Sequence, residues 1–251
     1  MRRNKEKNPE YWINMGYSLT TEGKDEQAKK YYKKALELDP KNLTALVNLA
    51  KGVNVEDLED SKKYLLQAIE INSSLVEAWI NLGVVYGLEK DSEKEMECFN
   101  KAIMLDPSRP DAWHNRGRAY KDRGLFTIAI HDYEEALRLK PDRIGTLYEK
   151  AYTHTRLNEF EEADKCYDKI LQMDPLHVDS ISDKGAILCI KGRYREALQF
   201  FDKALKIDNR SARTLRNKAK ALRALGQSRT AKKCILEANK IEPGSNYKTW
   251  L

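Results

Sequence analysis

The sequence contains no run of about 18 apolar residues, so no segment is expected to cross a membrane as a helix. No apolar stretch follows the basic start MRRNKEKNPE, so no secretory leader is expected. Cysteine is scarce. Cys98, Cys166, Cys189 and Cys234 form no CxxC pair, and scattered single thiols in a chain without a leader point to the cytoplasm. Histidine is equally rare: His114, His131, His154 and His177 include no HExxH spacing. No glycine-rich phosphate loop is present. With no nucleophile–base set and no ligand cluster to nominate, the chain reads as a non-enzyme without cofactor or metal. A dominant charge is missing too. The formal net charge of +6 over 251 residues does not by itself argue for nucleic acid.

What is present is a pattern, clearest from Pro110 to Arg143 (PDAWHNRGRAYKDRGLFTIAIHDYEEALRLKPDR). Trp113, Gly117 and Tyr120 lie on one apolar-periodic segment that Gly124 ends. Ala129, Tyr133 and Ala136 lie on a second, which Pro141 ends. Two short amphipathic helices joined by a tight turn are expected, and such a pair must stack on neighbours to bury its apolar face. The pattern recurs over residues 9–42, 43–75, 76–109, 110–143, 144–177, 178–211 and 212–245. A basic arm at 1–8, expected to fray, and a tail at 246–251 flank these copies. The second copy is one residue shorter, with the deletion expected in the turn near Val53–Asp60.

The few prolines and glycines agree with this register. Pro9 and Pro110 open first helices; Pro40, Pro107, Pro141, Pro175 and Pro243 close second helices. Gly23, Gly124, Asn158, Gly192 and Gly226 follow the first helix, where a left-handed cap is wanted. Gly16, Ala50, Gly83, Gly117, Ala151, Gly185 and Ala219 share one small position, which allows close approach of the two helices. Trp12, Trp79 and Trp113 share another and are expected in the core. Cys98, Cys166 and Cys234 share one second-helix position in alternate copies, too far apart to converge on an ion.

This unit resembles the tetratricopeptide repeat, a 34-residue helix–turn–helix. The match combines a large apolar residue at position 4, a small one at 8, Ala at 20, an aromatic at 24, Ala at 27 and Pro at 32. It departs at the deletion, at Ser73 and Asn209 in place of proline, and at Arg116, Lys150, Lys184 and Lys218 in place of the usual Leu at position 7. Those long side chains can cover apolar surface as local variation. The resemblance implies an all-α fold, an α-solenoid wound as a right-handed superhelix. It also implies that first helices line a concave groove that binds a peptide segment of a partner protein, as a scaffold does.

In the family, positions 5 and 6 tend to face that groove. Position 6 here holds Asn14, Asn48, Asn81, Asn115, Glu149, Asp183 and Asn217. A row of Asn could bond the backbone of an extended peptide, or Asn could simply be common there; both readings stand. Position 5 holds Ile13, Val47, Ile80, His114, Tyr148, Ser182 and Arg216; the first three, with Val84, make an apolar strip. Charge is then expected to change sign along the groove, from Glu149, Asp179 and Asp183 to a basic patch of Arg213, Arg216, Lys220 and Arg223. The carboxylate clamp of chaperone-binding members is not expected, because no position 5 is Lys and no position 9 is Asn. The basic seventh copy has two readings. It is a solubilising end cap, which Asn239 in an otherwise apolar register supports, or a surface that meets nucleic-acid phosphates or another anion. The partner is therefore expected to be a protein or peptide, with nucleic acid as the alternative, no membrane, and self-association left open.

Overall fold

A computed structural model describes residues 7–51 and 57–243, and these form fourteen helices. Residues 1–6 of the basic arm, 52–56 of the second turn and 244 onward lie outside the described residues. The chain divides into two compact units, Met1–Arg123 and Gly124–Leu251. The first holds α1 (Pro9–Thr21), α2 (Asp25–Leu38), α3 (Leu43–Leu49), α4 (Leu58–Ile71), α5 (Val76–Glu89), α6 (Ser92–Leu105) and α7 (Pro110–Asp122). The second holds α8 (Phe126–Leu139), α9 (Ile144–Arg156), α10 (Phe160–Met173), α11 (Val178–Ile190), α12 (Tyr194–Ile207), α13 (Ala212–Ala224) and α14 (Ser228–Ile241). No strand occurs among the described residues.

Local chemistry sets the helix ends. Asn8, Asn42, Asp91 and Ser211 accept bonds from backbone N–H groups of the first turns of α1, α3, α6 and α13. Pro9 and Pro110 stand at the first helical positions of α1 and α7. After the first helix the backbone turns left-handed at Gly23, Gly124, Asn158, Gly192 and Gly226, where the pattern wanted it. It does so at Lys90 as well (φ 62°), which the residue type alone did not announce. The bond that closes this turn recurs from Lys24 N–H to Leu19 O, Asp91 to Tyr86, Glu159 to His154, Arg193 to Leu188 and Gln227 to Leu222.

Three helix pairs close on a ring seated against a glycine. The Tyr32 ring lies against Gly16, Phe99 against Gly83 and Phe201 against Gly185. All three rings are buried, and a Cβ at Gly83 would come within 2.6 Å of Phe99 Cε1. Where the small residue is Ala, the opposing residue is aliphatic in two copies: Ala50 shares a core cluster with Leu65, and Ala219 packs with Ile235.

Neighbouring pairs are joined by apolar clusters such as Leu46, Leu65, Leu82 and Val85 in the first unit and Leu147, Tyr167, Ile170 and Ile187 in the second. The basic residues at position 7 add a regular polar link. Arg116 donates to Asn100, and Lys150, Lys184 and Lys218 pair with Glu134, Asp168 and Asp202. Each partner lies sixteen residues earlier, on the preceding second helix. These residues are thus more than local variation: they stitch one pair to the next.

The first helix of the second copy is short, Leu43–Leu49, and the turn expected near Val53–Asp60 lies in part outside the described residues. Trp12, Trp79 and Trp113 are half-buried rather than fully in the core. The Trp79 and Trp113 indole N–H groups donate to Ser73 O and Pro107 O at 2.9 and 2.8 Å, which holds each ring over the incoming chain.

Two stability predictions follow from this geometry. Gly83→Ala should destabilise by about 1–2 kcal/mol in urea unfolding, because overpacking outweighs the gain in helix propensity. With the ring removed the sign should reverse, so Gly83→Ala/Phe99→Leu should be at least as stable as Phe99→Leu alone. Lys90→Gly should raise stability by about 1 kcal/mol by relieving a left-handed residue that carries a Cβ; an unchanged melting temperature would show that position to be unstrained.

Candidate functional site

The first helices carry every residue singled out for binding, and the two units treat them differently. In the first unit Asn14 is exposed, and Asn48, Asn81, Asn115, His114, Ile13 and Val84 are half-buried. The Asn81 amide nitrogen is buried and finds no hydrogen-bond acceptor. A buried donor without an acceptor is costly, and an incoming carbonyl would satisfy it. Val47 and Ile80 depart from the expected strip. They are 4% and 5% exposed and belong to core clusters, because their side chains drop into the seam between successive first helices. The strip is therefore not a continuous apolar surface.

In the second unit one member of the same row, Asp183, is satisfied from within. Asp183 is fully buried on α11. It accepts from the Tyr148 hydroxyl of α9 at 2.8 Å and from the Tyr167 hydroxyl of α10 at 3.4 Å. It also pairs with the Arg213 guanidinium of α13. Arg213 donates further to Tyr148 Oη at 3.0 Å and reaches Asp179 at 3.5 Å. Burial works against the Arg213 charge, but Tyr148 and Asp179 hold its pKa above the ordinary range. Burial also raises the Tyr148 hydroxyl, which Arg213 opposes. Glu149 stays half-buried.

The expected change of sign along the face is revised accordingly. Arg213 neutralises Asp179 and Asp183, and Asp179 and Arg213 hold the same repeat position one copy apart. That spacing of opposite charges was the signal available in the sequence. Arg216 is likewise not part of an open basic patch. Its side chain is 6% exposed; it pairs with Glu242 at 2.8 Å and donates to the Glu242 carbonyl at 3.1 Å, closing the end of α14. Asn217 is 4% exposed, and its Oδ1 has no donor. Burial pulls the Lys220 ammonium down to about 8, and Cys189 opposes this only in part. Arg223 alone of the four basic residues is exposed. Asn239 is exposed, whereas its counterparts Leu36, Ile69, Ile103, Leu137, Leu171 and Leu205 are half-buried.

Chemistry beyond hydrogen bonding is sparse in this arrangement. Burial pushes the Cys98 and Cys189 thiols up to about 12 and raises those of Cys166 and Cys234, which disfavours thiolates. Among the described residues, no group of three or more His, Cys, Asp or Glu is placed to hold a metal, and no helix is long and apolar enough to cross a membrane.

Tetratricopeptide-repeat models match residues 9–42 and 110–143, 76–109, 148–212 and 190–250. No curated protein matches the sequence. Among solved structures, that of YrrB, described as a TPR protein with an unusual peptide-binding site, is 20% identical. It aligns over 72% of this chain and 93% of its own with a TM-score of 0.57. A tetratricopeptide repeat protein from Parabacteroides merdae is 16% identical over 95% of this chain and 94% of its own, with a TM-score of 0.70. The APC/C hetero-tetramer Cut9–Hcn1 gives 15% identity and a TM-score of 0.78 over 86% of this chain, which spans only 43% of that one. At such identities the likeness is one of fold.

The buried network makes a direct prediction. Asp183→Ala should cost about 2–4 kcal/mol in urea unfolding, because it strands the Arg213, Tyr148 and Tyr167 donors. Glu149→Ala, in the same row but half-buried, should cost no more than about 1 kcal/mol. Equal small losses at both would show Asp183 to be an ordinary solvated acid.

Proposed function

The chain belongs to the tetratricopeptide-repeat family, and on that premise we propose that its first helices bind an extended segment of a partner protein through Asn14, Asn48, Asn81 and Asn115. Protein interaction is the coarse function that the repeats support. The finer reading rests on one observation: the Asn81 amide nitrogen is a buried donor with no acceptor, whereas Asp183 in the same row is filled by Tyr148, Tyr167 and Arg213. An extended peptide offers a carbonyl at every residue, so a row of amides can hold its backbone without reading its side chains. The peptide-binding site described for YrrB is consistent with this use of the fold. The molecule is then a scaffold rather than an enzyme, and its four free cysteines agree with a cytoplasmic setting.

The nucleic-acid reading draws less support. Of the four basic residues it drew on, Arg213 and Arg216 are engaged in ion pairs, while Arg223 remains exposed.

An Asn81→Ala/Asn115→Ala variant should bind a selected peptide about tenfold or more weakly, since each net hydrogen bond contributes about 0.5–1.5 kcal/mol. Its far-ultraviolet circular dichroism should be unchanged. Undiminished affinity in a folded variant would rule out the asparagine row as the binding device.

A further inference from the structure

Six of the seven copies place a small residue where the second helix first meets its partner. Ala28, Ser61, Ala129, Ala163, Ala197 and Ala231 are each no more than 3% exposed. The third copy places Glu95 there. The carboxylate has room only because Gly87 faces it: a Cβ on Gly87 would collide with Glu95 Oε1. Glu95 is half-buried, and no side-chain hydrogen bond or ion pair among the described residues engages it. Burial holds its carboxyl above the ordinary range, with Arg123 and Arg118 opposing and Asp122 adding to the rise. A residue that breaks its own repeat rule without a local gain is where a functional reason is to be sought.

Glu95 opens into a cavity of roughly 180 Å³ formed by α5, α6 and α7 within the first unit. That is several times the ~30 Å³ share of a water molecule, so the end of a side chain fits. Val84, Leu88 and Phe99 supply apolar walls, and Leu88 is 47% exposed. Glu95, Asp122 and Asn115 supply acceptors. Arg118 lines the cavity with the two carboxylates, while Arg123 acts on Glu95 from outside it and Lys121 lies 3.4 Å from Asp122. Apolar walls leading to a carboxylate suit a long aliphatic stem with a cationic head. Asn115 belongs both to this cavity and to the asparagine row.

We infer that this cavity is a specificity pocket that receives one lysine or arginine side chain of the bound segment, with Glu95 as its counter-charge. This rests on the peptide-binding reading above. Asn115 holds the backbone of the segment at the mouth, the stem lies along Val84 and Leu88, and the head meets Glu95 and Asp122. Glu95→Ala restores the residue that five of the other six copies carry, so loss of folding does not confuse the result.

The full chain and its Glu95→Ala variant would each be used to select from an array of peptides of random sequence. Wild-type ligands should share a lysine or arginine at one fixed position. For those peptides Glu95→Ala should lose about tenfold or more in affinity while its melting temperature stays unchanged or rises. Replacing the basic residue by norleucine should abolish the difference between wild type and variant. Two outcomes overturn the pocket alone: ligands sensitive to Asn81→Ala/Asn115→Ala that share no basic position, or equal binding by Glu95→Ala. Selection of no peptide at all would overturn the peptide-binding reading and the pocket with it.

Discussion

Every helix pair depends on whether the first helix lets the second come close. In three copies that means an aromatic ring of the second helix seated on a glycine of the first, at Tyr32–Gly16, Phe99–Gly83 and Phe201–Gly185. The contact is short enough that one methyl group would force the ring away. It fixes the distance within a pair, and the left-handed turn after the first helix fixes the direction of return. Stacking between pairs then requires only that each presents a consistent face, which is why repeat arrays are stabilised by nearest-neighbour terms. The face need not be apolar throughout. From the fourth copy onward a basic residue replaces Leu and reaches a polar partner on the preceding helix, while Leu49 and Leu82 remain in the core.

Polar satisfaction is distributed unevenly over the first-helix face. The second unit ties Tyr148, Tyr167, Asp183 and Arg213 into one network around the buried Asp183, spanning three copies. Such a network stiffens its surroundings and leaves few groups there to meet a ligand. The first unit keeps its amides half-exposed and leaves a buried donor unfilled at Asn81. A scaffold that binds a backbone needs just this combination of rigid support and unsatisfied donors, because preorganised groups lose little entropy on binding.

Charge read along the sequence misled where charge read by repeat position would not have. Arg213, Arg216 and Lys220 sum to a basic stretch, yet one lies against buried Asp183, one caps the final helix, and one has its ammonium pulled down to about 8 by burial. Opposite charges one copy apart in the same register face each other on stacked helices, as Asp179 and Arg213 do. The same logic exposes Glu95 as the residue out of step with Ala28, Ala129 and Ala163.

The sequence by itself determined the helix pairs, their order and their family. Periodic apolar residues, prolines at the boundaries and glycines after first helices are local signals, and local signals act before any tertiary contact exists. The tertiary structure alone decided which members of one repeat position are open and which are buried. Asn14 is exposed and Asn217 is buried although both are Asn at position 6, and Val47 and Ile80 sit in the core although their position tends to face the groove. The reason is physical: exposure depends on what the neighbouring pair brings alongside, and that partner lies about one repeat away in sequence but within touching distance in space.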